Sequence, residues 1–401
     1  MRLAKIFGMR MHRLLLAVAS ALVLPSLLSA AEPEGPLPCE GGKAGPYPCR
    51  AVEQASFLSL DDLSNEANDV AGDVVGWHHE PSGREFAFLS LGDKTVIVEV
   101  TDPESPQVIG DYARDVHGLG AKAIFEDHLY GLVGTQLLIF DLTRLLTASG
   151  PPVSFAPDAT VALPFFPSGL AINQETGFAY AFGLRIVALD LNVDPESPQQ
   201  VMDWNPTSPH PRSLECVIFH GPDQRFAGHE ICFGGAGNTF LVIYDVTDKA
   251  HPVRLSSTKY KHSNTPRDTA ITTDHRVLLL ADSHDENLPG GNTRTFLWDL
   301  SSLTRPVYFK SYDGTTHARD LQLEVRGRYA YLANATAGLR ILDLAQIGGK
   351  KSRVREVGYF DLEPGLSNTS WFGAYSLAVF PSGTVVVSGL RQGLFVLVPQ
   401  L

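Results

Sequence analysis

Phe240-Leu-Val-Ile-Tyr-Asp-Val-Thr-Asp-Lys-Ala-His-Pro-Val253 holds an apolar run, an acid, a polar turn closed by proline, and the start of another strand-like run. A run of this kind reads as a strand buried on both faces, and the Asp/Thr/Asp/Pro cluster after it reads as a turn. The phrase recurs. Matching runs stand at Thr95–Val100, Gln136–Leu142, Arg185–Leu191, Thr239–Val246, Thr295–Leu300, Gly338–Leu344 and Gly393–Val398. Six carry an acid near the end: Glu99, Asp141, Asp190, Asp245, Asp299 and Asp343, at steps of 42, 49, 55, 54 and 44 residues. That is the length of one four-stranded propeller blade and too long for a leucine-rich repeat.

The surroundings of each run agree with this reading. Two β-like runs joined by a turn precede it, as in Glu324–Ala333 around Arg326-Gly327 and Leu377–Ser388 around Pro381-Ser-Gly383. A proline-introduced strand follows, as in the identical pentads Asp102-Pro-Glu-Ser-Pro106 and Asp194-Pro-Glu-Ser-Pro198. Proline cannot donate to a central ladder, so it suits a blade's outer edge. The last repeat has three strands, and an apolar stretch at Phe57–Leu60 stands alone before the first repeat. Joining the two closes a ring and removes its open edges. The expected fold is all-β: a seven-bladed β-propeller of four-stranded blades, closed by an N-terminal strand. The expected divisions are a signal peptide at 1–31, a disulfide-containing loop at 32–56 and the propeller at 57–401.

The N-terminus has the three parts of a secretory signal. Arg2, Lys5, Arg10 and Arg13 form a basic region, Leu14–Leu28 an apolar one, and Ser29-Ala30-Ala31 a small-residue cleavage site. Losing those four cations takes the formal charge from −12 to −16. Nucleic acid is excluded as a partner, because a phosphate backbone requires a basic footprint. No second run of membrane-spanning length follows. The expectation is a secreted or periplasmic protein with no C-terminal anchor and no membrane insertion after cleavage. Four cysteines in an exported chain suggest two disulfides, with three pairings open. The local pairing joins Cys39 to Cys49 and Cys216 to Cys232; the spacing of neither pair resembles a zinc site.

Several of these phrases resemble a known group. Leu241-Val-Ile-Tyr-Asp-Val-Thr-Asp248 and Ile186-Val-Ala-Leu-Asp190 look like LVIVD repeats. Cys39-Glu-Gly-Gly-Lys-Ala-Gly-Pro-Tyr-Pro-Cys49, Ser82-Gly-Arg-Glu85, Glu215-Cys-Val-Ile-Phe-His-Gly-Pro-Asp223 with Glu230-Ile-Cys232, and Asn292-Thr-Arg-Thr-Phe-Leu-Trp-Asp299 extend the match. The chain is similar, from about residue 39 to 398, to the choice-of-anchor B family of exported bacterial proteins. That resemblance implies a surface or secreted propeller and brings no settled biochemical activity.

The candidate site lies where the blades open. Ala113-Arg-Asp115, Pro211-Arg-Ser213, Pro266-Arg-Asp268 and Ala318-Arg-Asp320 are one recurring phrase. In a propeller it sits at the start of the first strand, so Arg114, Arg212, Arg267 and Arg319 converge on one channel mouth. Asp115, Asp268, Asp320 and Asp73 stand beside them. Guanidinium forks match carboxylate, sulfate or phosphate, so a small anion or a glycan is one expected ligand. The other reading pairs each arginine with a neighbouring aspartate. Asp282-Ser-His-Asp-Glu286 offers carboxylates for Ca²⁺, but lacks the spacing of a known calcium loop and reads first as a solvated turn. No other cofactor is expected. No HExxH, G-x-S-x-G or Cys–His pattern appears, and His78, His79 and His117 read as satisfied polar residues. The function expected is a non-enzymatic binding or interaction propeller whose partner is a protein, a glycan or a small anion. The alternative is a metal-dependent hydrolase of the propeller lactonase or esterase type, which four nearby arginines oppose electrostatically.

Overall fold

A computed structural model describes residues 35–401, apart from 65, 67, 68, 93, 114–120, 149, 151, 289, 290 and 349–352. Seven four-stranded antiparallel blades surround a common axis, a seven-bladed β-propeller, with Val153–Phe155 added parallel to Gln107–Ala113, the outer strand of blade 1. From the axis outward, blade 1 is Val74–His79, Arg84–Ser90, Lys94–Glu99 and Gln107–Ala113. Blade 2 is Lys122–Phe125, His128–Val133, Gln136–Asp141 and Ala159–Ala162. Blade 3 is Gly169–Asn173, Phe178–Phe182, Ile186–Asp190 and Gln199–Trp204; blade 4 is Glu215–Ile218, Glu230–Ala236, Phe240–Asp245 and Val253–Lys259. Blade 5 is Pro266–Ile271, Val277–Asp282, Arg294–Asp299 and Val307–Asp313; blade 6 is Gln322–Arg326, Tyr329–Ala333, Leu339–Gln346 and Arg353–Phe360. Blade 7 is Ala374–Val379, Val385–Gly389 and Gly393–Pro399, completed by Val52–Ser59.

The doubly buried strands seen in the sequence are the second and third of each blade. Each blade interface has its own apolar cluster, such as Tyr130 and Ile139 against Ala179 and Val187 between blades 2 and 3. Burying both faces of every sheet is what makes these strands continuous apolar runs. The acids closing the third strands cap the turn that follows. Asp141, Asp190, Asp245, Asp299 and Asp343 each accept the backbone N–H two residues on, at 2.7–3.1 Å. The next residue is then core: Leu142, Leu191, Val246, Leu300 and Leu344 are all buried. Both Asp-Pro-Glu-Ser-Pro pentads make the same turn, with Asp102 and Asp194 each accepting from the glutamate N–H at 3.1 Å.

First strands touch first strands around most of the ring, and blade 7 meets blade 1. The edge groups of these strands, which face no sheet partner, are met by side chains from the preceding blade. Asp268 accepts from Leu323 N–H at 3.0 Å, Gln322 from Leu377 at 2.8 Å, Glu324 from Val379 at 3.3 Å, and Ser376 from Val74 at 3.0 Å. Lower down, buried carboxylates also join neighbouring blades. Glu230 of blade 4 accepts from Asn173, Thr176 and Tyr180 of blade 3 and pairs with Lys249 at 2.7 Å. Glu85 of blade 1 accepts from Ser382 of blade 7.

Closure follows the sequence expectation, with a longer strand. Val52–Ser59 pairs antiparallel with Gly393–Pro399, placing Phe57 opposite Phe395 with ring centroids 4.4 Å apart. The strand starts at Val52 rather than Phe57 because Val52, Gln54 and Ala55 are also buried. The preceding loop contributes structure too. Tyr47–Arg50 pairs with the outer strand of blade 6, Cys49 opposite Phe360, and Lys43–Ala44 pairs with it in turn. Tyr47 packs on both Phe360 and Phe395, so this strap covers the seam where the ring is closed. Both local disulfides are formed, Cys39–Cys49 and Cys216–Cys232. Among the described residues no helix is long and apolar enough to cross a membrane.

Gly393 makes the closure testable. Its φ is +132°, and a Cβ there would lie 2.0 Å from the Leu58 carbonyl oxygen of the closing strand. Gly393→Ala is expected to cost more than about 1 kcal/mol, the scale for an incompatible backbone position. Gly383→Ala, at φ +92° with nothing within 4 Å of the new Cβ, is the control for strain alone. Urea unfolding should show the larger loss for Gly393→Ala; equal losses would mean that the closing strand is not tightly held.

Candidate functional site

The loops leading into the first strands form the upper face of the ring. There the channel widens into a cavity of about 720 Å³, lined among others by Asp73, Lys122, Leu184, Arg212, Arg267 and Tyr375. A second cavity of about 680 Å³ opens below, lined by His78, Glu126, Glu215, Glu324 and Arg326 among others. Val74, Val75, Leu170, Leu214, Asp268 and Gln322 line both, and so form the waist between them.

Local irregularity aims the upper side chains. Pro266 pairs with Asp282 and Asp268 with Ala281, so Arg267 is the extra residue of a β-bulge. Tyr375 is the extra residue at the same place in blade 7, between the pairs Ala374–Gly389 and Ser376–Ser388. In blade 4, the N–H groups of Arg212 and Ser213 both reach the Gly235 carbonyl, at 2.8 and 3.4 Å. A bulge turns a side chain out of the ladder's alternation, and here it turns three of them toward the mouth. Arg267 Nη2 donates to the Tyr375 hydroxyl at 3.1 Å, and its guanidinium stands 5.3 Å from the ring centres of both Tyr375 and Trp371. Arg212 donates to the Gly237 carbonyl at 2.6 Å and to Asn238 Oδ1 at 3.3 Å.

The expected pairing of each arginine with an aspartate is not formed. Among the described residues, Arg212, Arg267 and Arg319 have no ion pair with a carboxylate. Asp268 instead accepts the N–H groups of Thr269 and Leu323. Arg319 departs from the expected mouth position. It is 7% exposed, stacks 4.6 Å from the Trp371 ring, and donates to the carbonyls of Thr369 and Ser283. It props Trp371 from behind and does not line the cavity. Asp320 is likewise not at the mouth: it is fully buried, accepting from Thr295 Oγ1 at 2.9 Å. Asp73 lines the mouth, and its carbonyl accepts from the buried Lys122 at 2.9 Å. Arg114, Asp115 and His117 lie outside the described residues. His78 lies in the lower cavity wall, 3.5 Å from Glu85, and His79 meets Ser82 at 2.7 Å.

The stretch Asp282–Glu286 is not a solvated turn. Asp282, Asp285 and Glu286 are fully buried behind the mouth together with Asp320, because the blade 5 turn folds inward over blade 6. Burial pushes all four carboxyls up, with repulsion from neighbouring acids adding to it for Asp285, Glu286 and Asp320. Glu286 Oε2 and Asp320 Oδ1 have no hydrogen-bond partner among the described residues, which favours their neutral forms, while Arg294 stands 3.5 Å from Asp285 Oδ2 and opposes the rise there. No group of three His, Cys, Asp or Glu side chains among the described residues has a metal-holding arrangement. His284, in the same stretch, faces the other way. Burial first, then the charges of Arg319, Arg267 and Arg212, hold its imidazole below the usual value. All three guanidinium groups therefore bear on one point, beside Trp371, whose ring centre is 5.6 Å from that of His284.

No family model matches the chain, and no curated protein matches it. The chemistry of the site must come from its own residues. Its upper end is cationic and aromatic, with unpaired guanidinium groups at a concave mouth. Its bore is acidic, and the acids there hold strands together. Tyr375, Trp371 and His284 are members that the sequence reading missed. Ala374-Tyr-Ser376 does occupy the position of Pro266-Arg-Asp268 in the repeat, and that register was the available signal.

The bore makes a pH prediction. Burial, then the charge of Asp268, pushes Glu215 up to about 8; burial pushes Asp268 to about 7. Both values exceed those of an unfolded chain, near 4. Between about pH 4 and 8 the folded state therefore binds more protons, and these groups' contribution to stability is lost as pH rises. Glu215→Gln and Asp268→Asn should each flatten the fall in Tm measured from pH 5 to 8.5. Unchanged slopes would show that neither carboxyl is raised.

Proposed function

We propose that this chain is an exported, non-enzymatic binding propeller of the LVIVD-repeat, choice-of-anchor B kind, taking an anionic small ligand at the upper channel mouth. The observation that carries the reading is the pair Arg212 and Arg267, which line a cavity of about 720 Å³ without a carboxylate partner among the described residues. Among the described residues Arg319 also lacks a carboxylate partner, but it is buried on the carbonyls of Thr369 and Ser283, whereas Arg212 and Arg267 line the open cavity. Arg267 is instead held by a tyrosine hydroxyl and two aromatic rings, partners that leave its charge uncancelled. Carboxylate, sulfate and phosphate groups all fit such a fork.

The excess of acids over the whole chain does not oppose this. At physiological ionic strength charges beyond about 8 Å are largely screened, so a ligand at the mouth responds to the local cations. Export is supported by the signal-like N-terminus and by two disulfides, which belong to oxidising compartments. The expected signal peptide and its cleavage site fall on residues outside those described. The hydrolase alternative needs a divalent ion in the channel. The channel acids Asp268 and Glu324 instead accept backbone N–H groups of the next blade, which favours binding over hydrolysis.

A thermal-shift panel of sulfate, citrate, glucuronate and a sulfated glycan tests the reading. A ligand at a hundredfold excess over its Kd should stabilise the folded state by about 2.7 kcal/mol. At least one anion should raise the Tm, and Arg267→Gln or Arg212→Gln should abolish the rise. If no anion acts, while EDTA lowers the Tm and Ca²⁺ restores it, the hydrolase reading replaces this one.

A further inference from the structure

We propose that the ligand of the upper mouth is an amphipathic organic anion, with its charged head at Arg212 and Arg267 and its hydrocarbon or aryl part on the rim of blade 3. The inference rests on the anion-binding reading above and adds the chemistry of the rest of the ligand.

The upper rim is chemically divided. On the side of blades 4 and 5 it carries Arg212, Arg267 and His210. On the side of blade 3 it carries apolar groups. Leu184, at the tip of the turn between the second and third strands, is 69% exposed and lines the cavity. Phe166, on the loop leading into the blade 3 first strand, is 72% exposed. The two loops adjoin: a Cβ on Gly183 would lie 3.0 Å from Ser168 Oγ and 3.5 Å from the Phe165 ring. Below them Phe182, Leu170 and Leu214 continue the apolar wall to the waist.

Scattered exposed apolar residues are ordinary and need no account. These two are not scattered. They stand on adjacent loops, and Leu184 lines the cavity with Phe182, Leu170 and Leu214 below it. Turn tips favour polar residues, and the matching turns carry Thr135 in blade 2 and Asn238 in blade 4. Blades 1, 3 and 7 have leucine in this turn, but Leu91 is buried and Leu390 half-buried, so Leu184 is the exposed one. The one charge beside it is turned outward, since Arg185 pairs with Asp203 at 2.5 Å on the outer strand. A polar sugar acid or a dicarboxylate would leave this wall wet. An anion with a chain or ring of a few carbons would cover it while its head stays at the arginines.

Isothermal titration of the full chain with octanoate, acetate, octyl sulfate and inorganic sulfate tests the division. Covering two methylenes is enough for roughly a tenfold gain, so octanoate should bind at least about tenfold tighter than acetate, and octyl sulfate likewise against sulfate. Leu184→Ser and Phe166→Ser should remove that gain and leave inorganic sulfate binding unchanged. Both residues are exposed, so the Tm of these variants should match that of the parent. Arg267→Gln should weaken all four. If octanoate and acetate bind equally while sulfate still binds, the apolar part of the inference is overturned and the anion reading stands. If none of the four binds, the anion reading fails and this inference with it.

Discussion

The innermost strand of each blade has one edge that no strand of its own sheet covers, and the molecule is arranged around that fact. An uncovered row of N–H groups must find acceptors. Here the acceptors are side chains of the preceding blade, so the channel wall carries Asp, Glu, Gln and Ser among its aliphatic residues. Asp268 to Leu323, Gln322 to Leu377, Glu324 to Val379 and Ser376 to Val74 are successive links of one chain running from blade 5 round to blade 1. The acidity of the bore is thus a product of folding. The carboxyls stand inside the ring among the first strands, where burial dominates the upward shift of Asp268, Glu215 and Glu324.

The same constraint explains where chemistry is free to appear. Below the start of the first strand, Asp268, Gln322, Glu324 and Ser376 are committed to backbone N–H groups of the next blade. Above it, at the bulges that open blades 5 and 7, the ladder is already broken and the side chain is released. Arg267 and Tyr375 occupy these positions and meet each other over the mouth. The upper end can therefore be cationic in a chain whose bore is acidic. The two polarities do not cancel, because the acids are spent on backbone N–H groups.

Much of this was legible in the residues. The third strands, their closing acids and the buried aliphatic after each acid form a pattern set by local turn chemistry and burial on two faces, and both act within a few residues of sequence. The pairing of Cys39 with Cys49 and of Cys216 with Cys232 was legible for the same reason. Ring closure was legible because a missing strand at one end matched a spare one at the other. Other features depend on contacts between distant parts of the chain. Tyr47–Arg50 forms a strand only because Arg353–Phe360 offers it an edge. Asp282, Asp285 and Glu286 look like an acidic surface turn, and only the packing of blade 5 against blade 6 buries them with Asp320. The recurring phrase placed Arg267 at the mouth, but a bulge leaves no composition signal, so Tyr375 at the same register was not read as its partner.

Arg319 shows most clearly why a repeated phrase does not fix a repeated role. Ala318-Arg-Asp320 copies Pro266-Arg-Asp268, yet the two arginines end in different places. Behind Arg319 lies the buried acid group of Asp282, Asp285, Glu286 and Asp320. Ser283 and Thr369 offer it carbonyls, and Trp371 covers its face. Arg267 has no such bed. It shares Trp371 from the other side and keeps its charge at the mouth. One tryptophan is thus held between a buried guanidinium and a mouth-lining one. The buried arginine sets the position of Trp371, Trp371 in turn helps to fix Arg267, and the geometry of the mouth is inherited from a residue that no ligand there would touch.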